Sequence, residues 1–447
     1  MNTDRRTFIQ KTGLATAAVT LGGMATGLSA KSYARVSGSG ERVRIAIIGV
    51  NGRGTSMAGT FAKQANASVE WICDVDERVL GKAVKVVEKA SGTTPKTVRD
   101  FRTLLSDPSL DAVYIAMPDH WHTPAAIMCL AAGKHVYVEK PVSHNPREGE
   151  LLVQAVEKYN KVLQTGSQRR SWPTLIKGLE ELQAGVIGRV YMAKGWYVNN
   201  RPSIGIGKKV AIPSELDYEL WQGPAPRQIY RDNLIHYNWH WFWNWGTGEA
   251  LNNGTHEMDV MRLGLGLDYP LTVHSVGGRF RYKDDWETPD TQLITFDAPG
   301  DVLVAWEGKS CNGRLEDGRS RGVIFYGDSG AMHTGDNSYT IYDINNKLVK
   351  DVKSDIVITD GQNTMSPGEE LDALHVKNFL DSIRTGSKPS ASALDGHKST
   401  VWMHLGNIAH RTGRKLNINV TNGHILDDKE AIKLWGRTYE KGWEIKI

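Results

Sequence analysis

The sequence predicts an α/β protein in two parts, a doubly wound parallel sheet followed by an α/β domain whose sheet is open and mainly antiparallel. Three observations predict it. From Val43 to Thr165 short apolar runs alternate with helical stretches, as strands buried on both faces do. A glycine-rich turn directly follows the first run. From about Tyr191 to Tyr342 the pattern changes to strand-like runs of alternating character.

Length and charge set the frame. A chain of 447 residues is expected to hold more than one domain. The expected divisions are 1–34, 35–166, 167–385 and a C-terminal helix and tail, 386–447, that returns to the first domain. There are 54 Lys and Arg against 50 Asp and Glu. Arg5, Arg6, Lys11 and Lys31 stand against only Asp4 in the first 34 residues, so the remainder is nearly neutral. Such a body has no electrostatic footprint for nucleic acid, which is not expected as a partner.

The first 34 residues read as an export signal. Arg5-Arg6-Thr7-Phe8 leads into a mildly apolar stretch from Gly13 to Leu28, then into small residues with cleavage expected at Ala30 or Ala34. Paired arginines before an aromatic point to the twin-arginine route and a periplasmic or exported protein. The apolar run is short and broken by Gly22, Gly23 and Gly27, so no lasting membrane span is expected. Cys73, Cys129 and Cys311 are an odd number far apart in sequence, and they form neither a disulfide framework nor a metal signature.

The elements then follow in order. Val43–Ile48 (VRIAII) is the first strand, and Gly49-Val50-Asn51-Gly52-Arg53-Gly54 turns it into a helix. A second strand, Val69–Cys73, ends in Asp74. This is the plan of a dinucleotide-binding Rossmann unit: glycines let backbone approach the pyrophosphate, a helix N-terminus supplies N–H donors, and the carboxylate takes ribose hydroxyls. Asn51 stands where the usual frame has its middle glycine, and Asn tolerates left-handed backbone. Ala112–Ala116 is a strand ending in Met117-Pro118, Thr123–Ala132 a helix, His135–Val138 a strand, Pro146–Tyr159 a helix and Val162–Thr165 a short strand. Nicotinamide is then expected at the strands' carboxyl ends, near Met117, Pro118 and Glu139. Val190–Tyr197, Thr272–Tyr282, Thr291–Phe296 and Val302–Trp306 supply the second sheet, and Leu371–Ile383 and Ser399–Arg411 are late helices.

The pieces IAIIGVNGRG, CDVDE, MPDHWHTPAA, AGKHVYVEKP and QTGSQRRS, between Arg44 and Arg170, resemble the glucose–fructose oxidoreductase/inositol dehydrogenase (Gfo/Idh/MocA) family. The resemblance continues at Trp245–Leu265 (WGTGEALNNGTHEMDVMRLGL), which is similar to that family's glycine-rich helix bearing a catalytic histidine. It implies that Lys140 lies between nicotinamide and substrate and moves the proton of the alcohol, with His256 as its acid–base partner. It also implies that Glu139 lines the nicotinamide end. The family commonly carries an Asp four residues before the histidine. Here Asn252 stands there, which can orient a group but cannot take its proton. NAD is the implied cofactor; Asp74 would repel the 2′-phosphate of NADP, although Arg78 is close.

Chemistry is compatible with the roles that the resemblance implies. Hydride transfer needs a base for the hydroxyl proton, and a lysine serves if burial lowers its pKa. His120 and His122 would point the same way in an extended segment. No third ligand accompanies them, so no metal is expected; His122 is expected to line the cofactor cleft and His120 to face solvent or substrate. In His236–Trp245 (HYNWHWFWNW), Trp239, Trp241, Trp243 and Trp245 alternate. Two readings stay open, an apolar sheet face or subunit contact and a carbohydrate platform. Candidates for substrate contact are Trp121, Gln168, Arg169, Tyr197, Trp239, Trp241 and Trp243, with Asp259 equally a buttress of the fold.

The expectation is an exported oxidoreductase that interconverts a sugar or glycoside hydroxyl and a keto group on tightly held NAD. It is expected to form a homo-oligomer, a dimer or tetramer, through the second sheet. The rivals are a redox-neutral NAD-dependent glycosidase or lyase, and a sugar-binding protein without catalysis.

Overall fold

Strand β1 (Val43–Ile48) is central in a six-stranded sheet with β2 (Ala67–Cys73), β3 (Lys96–Val98), β4 (Ala112–Ile115), β5 (His135–Val138) and β6 (Leu163–Thr165). This computed structural model describes residues 42–335, 337–356 and 368–447; the expected export signal lies outside the described residues. The strands run parallel in the order β3-β2-β1-β4-β5-β6. Parallel neighbours need long crossovers, supplied by α1 (Arg53–Ala62), α2 (Glu77–Ser91), α3 (Asp119–Ala131) and α4 (Pro146–Tyr159). Strand β1 is buried on both faces: Ile45 and Ile47 belong to one apolar cluster, Ala46 and Ile48 to another. The order reverses between β1 and β4, which opens a crevice at the strands' carboxyl ends.

Two local expectations are corrected. The sequence reading omits β3, because Lys96 and Thr97 are exposed and no apolar run marks it. Helix α3 begins at Asp119 rather than Thr123, so His120 and His122 are helical and do not project together from an extended segment.

The second sheet has ten strands. After α5 (Pro173–Gln183) come β7 (Val190–Val198), α6 (Tyr218–Gln222), α7 (Gly248–Asn252) and α8 (Gly254–Leu265). Then follow β8 (Thr272–Gly278), β9 (Thr291–Ala298), β10 (Val302–Lys309), β11 (Arg321–Gly327), β12 (Gly330–Gly335), β13 (Ser338–Asp343) and β14 (Leu348–Val352). Helices α9 (Glu369–Thr385) and α10 (Ala393–Thr412) precede β15 (Leu416–Ile418) and β16 (Ile425–Leu426). Every pairing is antiparallel except β7 with β10, so the sheet is mixed but mainly antiparallel as expected. Its inward side chains, among them Ile294, Phe296, Val304 and Trp306, pack with α8 and α10 in the largest core cluster. Alternate residues, Val276, Leu293 and Leu303, lie on the open face and are exposed. Helix α9 crosses back to pack on α1. Among the described residues no helix is long and apolar enough to cross a membrane.

Candidate active site

The crevice at the carboxyl ends of the parallel strands is a cleft lined from several elements. Its floor depends on glycine. Gly49 has φ +82°, and a Cβ there would lie 2.7 Å from the Ala116 carbonyl carbon. At Gly54 a Cβ would lie 1.8 Å from the Gly49 carbonyl oxygen. Neither position admits a side chain. Gly52 caps α1 without any side-chain hydrogen bond, and the helix's first turn holds no acid. The positive end of the helix therefore faces the cleft beside Asn51, Gly52 and Arg53. Asp74, at the end of β2, accepts the Val50 N–H at 2.7 Å and the Asp76 N–H at 3.0 Å. Arg78 does not reach it; Arg78 Nε binds Asp76 at 2.7 Å. Glycine cradle, uncapped helix end and strand-end acid together fit a dinucleotide.

Strands β4 and β5 bring the other end. Met117 and Pro118 follow β4, and Glu139 and Lys140 follow β5; all four line the cleft, as does His122. Glu139 Oε1 accepts Arg53 Nε at 2.9 Å and the Tyr114 hydroxyl at 2.8 Å. Arg53 is also gripped by both carboxylate oxygens of Asp372 on α9, at 2.6 and 2.9 Å. Burial alone would raise Glu139, but the charges of Arg53 and Lys140 hold it below the usual carboxylate range. His122 Nδ1 lies 2.6 Å from the Pro141 carbonyl, while its buried Nε2 has no partner among the described residues.

Lys140 Nζ donates to the Asn252 backbone carbonyl at 2.5 Å and to its Oδ1 at 3.3 Å. Burial lowers its pKa, opposed by Glu139 and Asp119 and reinforced by Arg321 and Arg53. His256 lines the same wall, and burial followed by the charges of Lys140, Arg321, Arg169 and Arg53 keeps its imidazole neutral. Asn252 and His256 do not share one helix: α7 ends at Asn252, and Asn253 intervenes before α8. Both nonetheless face the cleft. Gln168, in a 3-10 turn after β6, also lines it, with its buried Oε1 unpartnered among the described residues.

Several expected contacts lie elsewhere. His120 faces neither solvent nor substrate: it is fully buried, with Nε2 3.0 Å from the Trp221 carbonyl and its pKa pushed down to about 3 by burial. Trp121 does line the cleft, but as a rigid wall, buried edge-on to Phe101 and Trp443 with its indole N–H bound to the Trp221 carbonyl at 3.0 Å. Tyr197 is on the helix-facing side of β7, its hydroxyl held by Asn199 and Arg201 away from the cleft. Asp259 is a buttress, chelated by Arg170 at 2.8–3.0 Å and by Ser399 at 2.6 Å. Arg169 pairs with Glu257 at 3.3 Å and does not line the cleft.

The aromatic run is not a strand. A 3-10 turn, Asn238–Trp241, scatters its indoles. Trp239 lines the cleft, stacked on His240 at 3.6 Å between ring centres. Trp241 is buried and stacked on Trp286 at 3.9 Å. Trp243 lines a separate depression with Arg411 over its ring, and Trp245 belongs to another apolar cluster. Asp119, Tyr237 and His240 also line the cleft; sequence reasoning missed the first two and took His240 only as a polar member of the aromatic run. The one available signal was an acid, Asp119, just past a strand's carboxyl end. Among the described residues no group of three His, Cys, Asp or Glu could hold a metal.

Fold and cleft define a dinucleotide-binding α/β protein of the Rossmann type. Residues 43–167 match the family model described as an oxidoreductase family with an NAD-binding Rossmann fold, and residues 205–445 match that family's C-terminal α/β domain. The chain belongs to the Gfo/Idh/MocA oxidoreductase family, and NAD is its cofactor. Among curated relatives, a glycosyl hydrolase family 109 protein of Saccharopolyspora erythraea is 29% identical over 213 residues, 44% of this chain and 46% of the relative. An α-N-acetylgalactosaminidase of Shewanella oneidensis is 30% identical over 175 residues, 36% of this chain and 38% of the relative. The aligned stretch thus spans less than half of either relative. Of solved structures, a levoglucosan dehydrogenase with NADH and levoglucosan superposes with a TM-score of 0.65 at 16% identity, covering 84% of this chain and 99% of that one. The WlbA dehydrogenase of Bordetella pertussis, with NADH and UDP-GlcNAcA, gives 0.62 at 18% identity, covering 85% and 99%. Likeness at that identity is a likeness of fold.

Proposed function

We propose that this protein is an NAD-dependent oxidoreductase that interconverts a secondary hydroxyl of a sugar or glycoside and the corresponding ketone, on nucleotide it retains. One observation carries the reading: Lys140, at the end of β5, has its amine buried in the cleft and its pKa lowered by that burial. Gly49, Asn51, Gly52 and Asp74 would hold the nucleotide, with Met117, Pro118, His122 and Glu139 at its nicotinamide end. NAD held there would supply the acceptor, and in the reverse direction the donor, of the hydride at the carbon bearing the hydroxyl. Lys140 takes the hydroxyl proton, neutral His256 orients that hydroxyl, and Asn252 fixes the amine.

Trp239, with Tyr237 and His240 beside it, offers a ring face and polar atoms for a sugar. The sugar class is further supported by the names of the relatives and by the carbohydrates in the titles of the superposed structures. Export through the twin-arginine signal and assembly through the open face carrying Val276, Leu293 and Leu303 complete the reading.

A second reading is redox-neutral glycoside cleavage, in which transient oxidation acidifies the neighbouring C–H. It is favoured by a second base on the same cleft wall as Lys140, the imidazole of His256 held neutral by burial, and by the glycosyl hydrolase relatives. A panel of p-nitrophenyl glycosides added to purified protein without free nucleotide separates the two. A lasting rise at 340 nm without nitrophenol supports net oxidation. Sustained nitrophenol release at 405 nm with no net change at 340 nm supports cleavage instead, and no signal at either wavelength overturns both.

A further inference from the structure

Asp119 opens α3 just beyond the end of β4 and lines the cleft together with Lys140. It is 2% exposed. Its Oδ2 accepts the Thr247 hydroxyl at 2.5 Å. Thr247 is itself fixed, because its carbonyl accepts Asn407 Nδ2 of α10 at 2.8 Å. A carboxylate this deep is costly unless a nearby positive charge compensates it. Lys140 stands at the neighbouring strand end, β4 pairing with β5 through Ile115 and Val138, and it is the cationic group whose charge acts on Asp119.

We propose that Asp119 is a positioning residue for Lys140, balancing the ammonium that forms when Lys140 takes the substrate's hydroxyl proton. This is a service an aspartate at position 252 could give and Asn252 cannot. The proposal rests on the reading of Lys140 as the base. In the oxidation direction the substrate O–H bond breaks as an N–H bond forms on Lys140, and the C–H hydrogen leaves with its electron pair to NAD. One positive charge is thereby moved from the cofactor to Lys140, and an anion beside Lys140 lowers the energy of that state.

The electrostatics agree with the geometry. Burial lifts Asp119 to about 7, against the Thr247 hydrogen bond and the charge of Lys140. Asp119 in turn raises Lys140 against the effect of burial. The other charges facing Lys140 are Glu139, Arg321 and Arg53. The imidazoles of His122, His240 and His256 are held neutral by burial. Replacing Asp119 leaves all of these in place.

The test titrates Lys140 directly in the full mature protein without substrate. Its modification by trinitrobenzenesulfonate is followed against pH and read peptide by peptide by mass spectrometry, in wild type, Asp119→Asn and Thr247→Val. In Asp119→Asn the Lys140 midpoint falls by about 1 pH unit, the usual size of one nearby opposite charge. The acid limb of kcat/KM moves down with it. Thr247→Val shifts the midpoint the same way by less, since losing the hydroxyl bond leaves Asp119 less ionised. A folded Asp119→Asn protein with an unmoved Lys140 midpoint overturns the proposal and leaves Asp119 as a helix-start acid. If Asp119→Asn does not fold, an unmoved midpoint in Thr247→Val overturns it equally. Should wild type oxidise no glycoside while the midpoint still moves, the proposed function fails and takes the catalytic role of Asp119 with it, leaving only the charge coupling between Asp119 and Lys140.

Discussion

Lys140 Nζ meets the backbone carbonyl of Asn252 at 2.5 Å, so a strand end and the last residue of a short helix 112 positions later converge on one amine. The carbonyl fixes the amine without supplying a negative charge. The pKa of the amine is therefore set by burial and by Glu139, Asp119, Arg321 and Arg53.

Lys140→Met is expected to lower turnover about 10²–10⁴-fold, the range of a general base, while bound nucleotide measured after denaturation is unchanged. Asn252→Asp adds a negative charge beside the amine and is expected to move the acid limb of the pH–rate profile upward. A downward move would show that the amine is not the titrating group.

Acid should destabilise this fold. Burial holds His120, His240 and His404 down to about 3 and His375 and His397 to about 4. Their unfolded value is near 6.5. Between roughly pH 4 and 6.5 the unfolded chain thus binds more protons than the folded one, and stability rises with pH. It is complete above about pH 6.5 and lost as pH falls below it, by about 1.4 kcal/mol per unit for each such histidine. Thermal midpoints recorded at pH 8.5, 7.5 and 5.5 should be level between the first two and fall at the third.

Asp372→Ala strips Arg53 of its buried partner on α9 while Glu139 remains. Breaking a buried pair from one side costs about 3–5 kcal/mol, to be read from urea midpoints. Nucleotide retention should fall as well, since Arg53 starts the helix whose N-terminus faces the cleft.

The tryptophans of the aromatic run should part company. Trp241→Ala removes a buried ring stacked on Trp286 and is expected to cost about 3–5 kcal/mol of stability. Trp239→Ala should leave the unfolding midpoint nearly level and raise KM, because that ring borders the cleft. The reverse pattern would place the sugar platform elsewhere.

The parallel sheet was legible because strands buried on both faces leave unbroken apolar runs, and Val43–Ile48 and His135–Val138 were read to the residue. Gly49, Asp74, Lys140 and His256 were legible as residues of the cleft because the glycine turn with its strand-end acid, and the resemblance for the other two, fix residue type and order together. Asp259 was not, since a carboxylate one helical turn from a histidine looks the same facing a cleft or facing Arg170. Alternation in His236–Trp245 suggested a strand. Its physical cause is different: around a tight turn Trp239 and Trp245 pack in one cluster, Trp241 in a second and Trp243 at a separate depression, which composition cannot distinguish from a sheet face. Tyr197 was misplaced because β7 has helices on its inner side, so its polar tip found Asn199 and Arg201 there.

The grip of Asp372 on Arg53 joins residues 319 positions apart. A growing chain therefore has its whole glycine turn and all six parallel strands long before it has the acid that steadies them. The nucleotide floor is finished late, when the final quarter of the polypeptide has emerged and α9 has docked on α1. A truncated or nicked chain would keep its glycine motif intact yet lack a firm seat for the dinucleotide, so retained NAD would report that the far end of the molecule is in place.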